Sequence, residues 1–568
     1  MVEPSPKNDP PFRYWVKVLC ALIIFAIAAK LYVVFTYEVN WDEFYYLSFV
    51  HQYIGQQLIN SFQTFHIHFF TWLQLISDNE VDQIIASRSV MWLLQLFTGY
   101  LIFRTCRIHL SVTASLFAVL AYFSLSYGLR MGASFRTDPI ATSLLLMTTH
   151  YLFQAQLSHR KSIFFGVVTS CALLITLKSS LYGLALAPIV LISLYYSPNR
   201  AQYLRHTCTF VGAILLSFAI LHTWHSAQIG GENLVSDLLS MFGAADKTLN
   251  QRVLFPGWSY FVHTFTSDIG YWLALFTGIA FSIYSSVKHA PLSREVSLKF
   301  LSLSLLLATL LFYRNAFPYY YSFMLAPVSV LLGLAWHCVA TMYSKRLRQA
   351  FMLTTLSLFF VSITLNGWLI PSQRDNQYQA MYLDRVHQIF PEPVPYIDRC
   401  SMVSTFPKYG FFMSTWGYEN YISRGEPIIS AAVMNHAPVF IIENTAFLSS
   451  LSGDNEQAWL IPEDEQSLND HYIHHWEDIY IAGKHIQLSN TRPLADMSIA
   501  VAGVYTLESE TSVIVNERTL YPGQTLYLSQ SIHTVRSKGN FGNYTFRWGN
   551  HTYRPTPLEE EAQLFTGF

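Results

Sequence analysis

The chain has 568 residues, of which 52% are hydrophobic and only 12% are charged. Soluble domains carry about 25% charged residues, so this composition argues against an ordinary soluble enzyme and indicates a membrane protein. The net charge of -1 gives no electrostatic basis for a nucleic-acid partner. The sequence also lacks GxGxxG after a strand, GxxxxGKS/T and HExxH. It therefore predicts no nucleotide cofactor, and it argues against a nucleotide-driven pump or a common metalloprotease.

Apolar runs predict eleven membrane-spanning helices, because a span needs about 20 mostly apolar residues. The first run follows a charged N-terminal stretch and has no small-residue cleavage site after it. We therefore interpret it as a retained helix rather than a signal peptide. Near Lys178 two short runs can also be read as one broken span. The predicted spans are 14–36, 88–104, 109–128, 137–155, 162–178, 180–197, 207–224, 263–287, 298–313, 319–342 and 349–371.

Basic residues orient this bundle with the N-terminus inside and the C-terminus outside. Every predicted inner connection carries at least two Lys or Arg residues, as at Arg104 and Arg107. The sequence after about residue 372 then lies outside, and we expect a bacterial inner membrane with a periplasmic domain. The endoplasmic reticulum is the alternative. The outer connections hold only Arg88, Arg130, Arg136, Lys178, Lys247, Arg252 and Arg314.

The predicted fold class is a polytopic α-helical membrane protein with a C-terminal soluble domain. The membrane domain covers residues 1–371 and includes two sizeable outer loops, 37–87 and 225–262. Residues 372–495 mix short apolar strands with helices, which indicates an α/β region. Residues 496–568 contain short alternating strands broken by turn residues, and they predict a small β-sandwich-like region.

Charged residues near the outer membrane surface are few, and each costs about 2.5–3.5 kcal/mol on insertion scales. A carboxylate there can take a proton from an acceptor hydroxyl, and cations can stabilise a departing phosphate. Nucleotide sugars and ATP are not available outside, so a polyprenyl-phosphate-linked sugar is the donor that fits. The acids are Glu38, Asp42, Glu43 and Asp138, and the bases are Arg130, Arg136, Lys178 and Arg314.

Four segments resemble motifs of the C-type (GT-C) glycosyltransferases, the superfamily of protein O-mannosyltransferases and lipid A aminoarabinose transferases. The resemblance extends over residues 14–371, in the order found in the superfamily. It implies a membrane enzyme that uses a polyprenyl-phosphate sugar. The segments are Asp42-Glu43 with Tyr45-Tyr46, Ser134 to Pro139, Thr176 to Leu181 with Leu186-Ala187-Pro188, and Arg314 to Tyr320 with Pro327.

The resemblance implies an inverting transfer of a hexosyl or pentosyl group by single displacement. Asp42 would act as the base or orient the acceptor, while Glu43 and Asp138 would help to organise the site. The acceptor would be a lipid, a glycan or a protein, as in lipopolysaccharide or protein glycosylation. Membrane lipids are the other expected partners. The residues implied to bind the carrier phosphate are Lys178, Arg314, Arg136 and Tyr320.

A divalent metal ion is a candidate cofactor, since the superfamily's first loop often carries an acid or histidine before two prolines. Here the loop contains His66 and His68 without the prolines, and His225 begins the second loop. These three histidines are the candidate ligands, with ordinary packing as the alternative. The acidic and histidine-rich segment 470–478 has the composition of a metal site without its spacing, so we interpret it as a solvated loop.

The sequence leaves two other functions open, a multipass secondary transporter and a non-catalytic membrane scaffold of the same fold. Transporters usually show paired halves with helices broken near the midplane, whereas here the charges collect at one face. Structural alternatives also exist for single residues. Asp42 and Glu43 can end a helix, Asp138 can cap one, and long cationic side chains can extend to the headgroups.

Overall fold

The computed structural model describes residues 10–61, 63–154, 157–230, 254–452, 459–539, 541–558 and 563–566. Much of the predicted outer loop 225–262, with Lys247 and Arg252, lies outside them. The chain forms two compact units, and the segment with Asp42 and Glu43 belongs to the same unit as the C-terminal residues. The first unit takes the described residues of Met1–Glu38, Gln52–Ile76 and Ile84–Asp375, and the second takes those of Val39–His51, Ser77–Gln83 and Asn376–Phe568.

The first unit is built of helices, which satisfy their own backbone hydrogen bonds as a bilayer requires. The helices α2 and α3 begin with residues of the second unit. Shorter 3-10 turns lie at Phe65–Phe69, Thr71–Leu75, Leu177–Tyr182 and Ser304–Leu311. The α-helices of this part of the chain are α1 (Pro10–Thr36), α2 (Trp41–Ile54), α3 (Glu80–Cys106), α4 (Val112–Phe123), α5 (Ser126–Met131), α6 (Thr137–Phe153), α7 (His159–Ile175), α8 (Gly183–Tyr196), α9 (Arg200–Ile229), α10 (Trp258–Ser267), α11 (Ile269–Lys288), α12 (Arg294–Leu303), α13 (Pro318–Val328), α14 (Val330–Met342) and α15 (Lys345–Thr364).

Within the described residues, six helical segments are long and apolar enough to cross a membrane, and α13 with α14 makes a seventh bent by 48°. The bend follows Pro327, which lacks the N–H for the helical hydrogen bond. The chain is an integral membrane protein, and the count of eleven spans stays a prediction. The six segments are Arg13–Thr36, Glu80–Cys106, Leu177–Tyr196, Arg200–Ile229, Ile269–Lys288 and Lys345–Gln373.

A buried carboxylate between α10 and α11 ties several helices of the first unit together. Asp268 accepts hydrogen bonds from the backbone N and the hydroxyl of Ser126, at 2.9 and 2.7 Å. It also accepts from the hydroxyls of Thr264 at 2.8 Å and Ser362 at 3.2 Å. Because Ser126 begins α5 and Ser362 lies in α15, one side chain fixes three separate parts of the helical unit.

Replacing Asp268 by alanine is expected to destabilise the protein by at least about 3 kcal/mol, because the buried N–H and hydroxyl of Ser126 and the hydroxyl of Thr264 lose this acceptor at about 1–3 kcal/mol each. The Ser362 hydroxyl keeps the Ser124 carbonyl as an acceptor at 2.7 Å. Thermal unfolding in detergent measures the effect as a lower midpoint. Thr277→Ala is the control, since its hydroxyl bonds only the Leu273 carbonyl of its own helix at an exposed position. Equal midpoints for the two variants would contradict the role assigned to this carboxylate.

The described residues of the second unit include four more α-helices and twelve strands. The helices are α16 (Gln377–Ile389), α17 (Thr415–Arg424), α18 (Ile428–His436) and α19 (Pro462–His471). The strands are β1 (Tyr396–Ile397), β2 (Lys408–Tyr409), β3 (Phe440–Ile442), β4 (Tyr472–Trp476), β5 (Ile479–Leu488), β6 (Leu494–Ser498), β7 (Gly503–Glu508), β8 (Val513–Val515), β9 (Arg518–Leu520), β10 (Thr525–Leu528), β11 (Ile532–Ser537) and β12 (Gly542–Trp548).

These strands form an eight-stranded sheet in the order β10-β7-β12-β5-β3-β1-β2, with β4 on β5, and a four-stranded sheet in the order β6-β11-β8-β9. The strand β12 pairs antiparallel with β5, with Gly542 opposite Leu488. The large sheet thus contains strands from both sides of the boundary predicted at residue 495. Side chains of both sheets, such as Leu488, Met497 and Phe546, share one buried core, as the alternation of strand side chains allows.

The interpretation of segment 470–478 as a solvated loop is wrong. Most of the segment is strand β4, with two residues at the end of α19, because Tyr472, Ile473 and Trp476 are apolar and pack inward. His475 is only 2% exposed, and its Nε2 lies 2.9 Å from the Tyr553 carbonyl. Burial lowers the pKa of His475 to about 4, so the imidazole is a neutral part of the fold at physiological pH.

Candidate active site

The predicted catalytic carboxylates lie in the first turn of α2. Asn40 precedes this helix, and its side-chain oxygen accepts from the backbone N of Asp42 at 3.1 Å. The Glu43 carboxylate reaches back to the backbone N of Asn40, also at 3.1 Å. This reciprocal arrangement is a capping box, which satisfies backbone donors that a helix start leaves without partners. Glu43 is 1% exposed, whereas Asp42 is half-buried.

One glutamine of α16 holds the backbone that leads into this turn. The Gln379 side-chain oxygen accepts from the backbone N of Val39 at 2.7 Å, and its amide donates to the Val39 carbonyl at 2.8 Å. The same amide donates to the Leu564 carbonyl at 2.7 Å. Three hydrogen bonds from one buried side chain therefore fix the approach to Asp42 within the second unit.

An arginine that the sequence did not single out lies beside the same turn. The Arg399 guanidinium carbon is 3.8 Å from the centroid of the Trp41 ring, a cation–π contact. Its backbone N donates to Asn444 Oδ1 at 2.9 Å, and Asn444 in turn donates to Asp398 at 3.1 Å. Burial lowers the pKa of Arg399, and the charge of Asp42 is among the influences that raise it. The site therefore pairs an acid with a partly desolvated cation.

The first unit contains a cluster of three charged side chains, Arg136, Asp138 and Lys178, at the start of α6. Asp138 lies in the first helical turn, where the helix dipole favours a negative charge. Its carboxylate forms ion pairs with Lys178 and with Arg136, whose Nε is 3.4 Å away. All three side chains are at least nine-tenths buried. Two cations around one carboxylate leave a net charge of +1, which suits an anionic ligand.

An aromatic ring completes this cluster. Arg136 lies 3.5 Å and Lys178 4.9 Å from the centroid of the Tyr319 ring, so the ring faces both cations. Tyr319 belongs to the first turn of α13, which Pro318 starts at its preferred first helical position. Cation–π contacts of desolvated groups contribute about 2 kcal/mol. No local feature of the sequence indicates that Tyr319, rather than its neighbour Tyr320, makes these contacts.

Two other predicted phosphate ligands are placed differently. The Tyr320 hydroxyl donates to Thr309 Oγ1 at 2.7 Å, and its ring packs against Tyr313 with centroids 4.7 Å apart. Tyr320 is fully buried and acts as an anchor of α13. Arg314 is half-buried in the connection between the turn Ser304–Leu311 and α13, close in sequence to Tyr319.

The position of Lys178 follows from a break in the helical path. The helix α7 ends at Ile175, and Thr176 is extended with φ −158° and ψ 135°. The turn Leu177–Tyr182 then leads into α8. The two short apolar runs near Lys178 thus correspond to an interrupted helix. Because of this interruption, Lys178 lies in an irregular turn, from which its side chain reaches Asp138.

The three candidate metal ligands lie in the first unit, but they do not form a ligand set. His68 Nε2 is 2.8 Å from His225 Nδ1, and Thr64 Oγ1 is 2.9 Å from His225 Nε2. Both ring nitrogens of His225 are therefore engaged. Burial, followed by His225, lowers the pKa of His66 to about 3. Among the described residues no three His, Cys, Asp or Glu side chains converge on one point, so we derive no step through a metal.

Comparisons with known proteins identify the fold. No protein-family model matches the chain, and no curated protein matches it. The structure of ArnT from Cupriavidus metallidurans bound to undecaprenyl phosphate aligns with a TM-score of 0.53 and 14% identity, covering 78% of this chain and 97% of that chain. The archaeal oligosaccharyltransferase AglB from Archaeoglobus fulgidus, in complex with an inhibitory peptide and a dolichol-phosphate, aligns with a TM-score of 0.52 and 11% identity, covering 98% of each chain.

A further AglB structure, in complex with zinc and sulfate, aligns with a TM-score of 0.50 and 9% identity, covering 95% of this chain and 99% of that one. At identities this low the alignments concern the fold. ArnT and AglB are glycosyltransferases of the GT-C type. The chain therefore has the fold of the GT-C glycosyltransferases, as the resemblance of its sequence motifs implied.

Proposed function

We propose that this protein transfers a sugar from a polyprenyl-phosphate carrier to an acceptor hydroxyl on the outer side of the membrane. The observation that carries the proposal is the buried cluster of Arg136, Asp138 and Lys178. A phosphodiester carries one negative charge, and the cluster carries one net positive charge, so the donor would neutralise it. The fold supports the same carrier class, because the similar structures hold undecaprenyl phosphate or dolichol-phosphate.

The proposed topology keeps eleven spans with the N-terminus inside and the C-terminus outside. Besides the longer helices, α6 and α7 have 17 residues each, at the lower limit of about 17–25 for a span. Basic residues at the predicted inner connections support the orientation. We place the protein in a bacterial inner membrane with its active site facing the periplasm.

The proposed reaction is a single displacement that inverts the configuration at the sugar's C1. The acceptor oxygen forms a bond to C1 while the bond from C1 to the phosphate oxygen breaks, and its electron pair goes to the phosphate. The Asp42 carboxylate takes the hydroxyl proton as general base. Lys178 and Arg136 stabilise the charge that develops on the leaving phosphate.

The other residues of the sequence prediction take supporting roles in this proposal. Glu43 holds the first turn of α2 through the capping box, and Asp138 holds Lys178 and Arg136 in place. Tyr319 supports the two cations, and Tyr320 anchors the helix that carries Tyr319. Arg314 remains a proposed phosphate ligand. The histidines His66, His68 and His225 have no step assigned to them.

Mass spectrometry of the lipid products tests this function. The purified protein in nanodiscs is incubated with polyprenyl-linked sugars extracted from bacterial membranes and with a membrane acceptor fraction. We expect consumption of a phosphate-linked donor, release of the polyprenyl monophosphate and gain of one sugar on the acceptor. No donor consumption, or release of a polyprenyl diphosphate instead, would refute the proposal.

A further inference from the structure

The second unit contains a cavity of about 900 Å³ beside the turn that carries Asp42. Ligand pockets usually measure about 300–1,000 Å³, so this cavity is at the large end of that range. Arg399 connects the two features, because its guanidinium lines the cavity and rests on the Trp41 ring. The polar residues of its wall include Arg399, Glu443, Asn444, Glu477 and Asp478.

The wall offers both a hydrogen-bond donor and several acceptors. Arg399 Nε is a buried donor with no acceptor in the described part of the chain. The carboxylates of Glu443, Glu477 and Asp478 add acceptor oxygens to the same wall. Glu443 already accepts from the Ser452 hydroxyl and Glu477 from the backbone N of Leu558, both at 2.8 Å, and an ionised carboxylate has about four acceptor sites. Burial, and then the charge of Glu477, raise the pKa of Asp478 to about 6. A ligand that donates hydrogen bonds to carboxylates and also accepts one from a guanidinium would match the polar groups of this wall.

Hydroxyl groups have both properties, since each donates one hydrogen bond and accepts others. An ammonium group would suit the carboxylates, but Arg399 would repel it. A lipid chain would leave the buried Arg399 Nε without an acceptor, which costs free energy. Two rings of the wall, Tyr378 and Phe565, offer apolar surfaces for the C–H faces of a sugar. This combination of groups favours a carbohydrate.

A peptide fits the wall less well. Extended peptides usually bind by adding a strand to a free sheet edge. The wall residues Glu443 and Asn444 follow β3, and Glu477 and Asp478 precede β5. These two strands are interior to the large sheet and pair with each other, whereas the wall residue His474 lies on β4, which pairs with β5. At the rim, the backbone N of Glu443 already donates to the Asp478 carbonyl at 2.8 Å. The described backbone between β3 and β5 is therefore already paired, and the decapeptide comparison below tests strand addition at β4.

We propose that this cavity binds a carbohydrate and, resting on the proposed function, that the bound sugar is the glycan acceptor of the transfer. The acceptor would then be a glycan rather than a protein. Arg399 would donate to a sugar oxygen, and the three carboxylates would accept from sugar hydroxyls. The contact of Arg399 with Trp41 links the bound acceptor to the turn that carries the proposed base.

Binding measurements on the full chain in nanodiscs, without any donor lipid, test this site. The probes are fluorescently labelled neutral tri- and tetrasaccharides, and a labelled decapeptide serves as the comparison. We expect saturable oligosaccharide binding that Arg399→Gln and Asp478→Asn each weaken by about 10- to 100-fold, the effect of losing a hydrogen bond to a charged group. Glu463→Gln is the matched control, because it removes an exposed carboxylate of the same unit outside the cavity wall.

Transfer assays then separate this site from the proposed function. Asp478→Asn is expected to raise KM for the acceptor about 10-fold or more while kcat and donor binding change little. Failure of every oligosaccharide to bind overturns the carbohydrate site, whether or not transfer occurs. Peptide binding that depends on Asp478 overturns it as well. Oligosaccharide binding without any sugar transfer would instead refute the proposed function and leave a carbohydrate-binding site.

Discussion

Replacing Asp42 by asparagine is expected to lower the rate of sugar transfer by a factor of about 10² to 10⁴, the usual contribution of a general base. The amide has nearly the same shape as the carboxylate, but it cannot take the proton of the acceptor hydroxyl. The backbone N of Asp42 still donates to Asn40, so the first turn of α2 keeps its cap. Single-turnover transfer from the polyprenyl-phosphate donor measures the effect on chemistry.

Two comparisons make this result specific. Glu463→Gln removes a carboxylate at an exposed position of the same unit, and it should leave the rate unchanged. Glu43→Gln should lower the thermal stability, because it weakens the capping box, for which losses of about 0.5–2 kcal/mol are typical at helix caps. Transfer by Asp42→Asn at the wild-type rate would show that another group accepts the proton.

Replacing Lys178 by alanine is expected to lower transfer by a factor of about 10² to 10³, the loss typical for one group that stabilises a developing negative charge. The three-residue cluster would fall from a net charge of +1 to neutral, with Arg136 still paired with Asp138. Affinity for the polyprenyl phosphate itself should fall as well, and binding of the labelled lipid measures it. Lys288→Ala is the matched control, because Lys288 is exposed at the end of α11.

A second variant separates the loss of a phosphate ligand from a damaged fold. Lys178→Ala leaves the buried Asp138 carboxylate short of one partner, which is itself destabilising. Lys178→Gln removes the charge but keeps an N–H donor for Asp138, so it should retain more thermal stability than Lys178→Ala without recovering transfer. If Lys178→Gln regains both stability and transfer, the lysine acts on the fold and has no direct role with the phosphate.

The sequence predicted those parts of the fold that depend on local composition. The apolar runs that became α1, α9 and α15 were recognised because a bilayer demands long apolar helices. Asp138 and Lys178 were singled out because charges near a membrane surface are costly, and the structure pairs them. The start of α2 also has a local signal in the sequence, the capping-box spacing of Asn40 and Glu43.

Contacts between residues that are distant in the chain are not indicated by any local pattern in the sequence. Tyr319 and Tyr320 are adjacent and chemically identical, and only the tertiary packing of α13 decides which ring faces the cations. Arg399 lies far from Trp41 in sequence, so nothing near either residue indicated their contact. The pairing of β5 with β12 likewise depends on long-range register, and the boundary predicted between them followed composition alone.

The three hydrogen bonds of Gln379 have a consequence for how this protein can vary. Gln379 recognises Val39 and Leu564 only through their backbone atoms. Substitutions at positions 39 and 564 can therefore preserve the contact as long as the new side chains fit the core. Position 379 has no such freedom, because aspartate and glutamate lack the two N–H donors and asparagine is one methylene shorter. In related chains we expect an invariant glutamine there, although it touches no reacting atom.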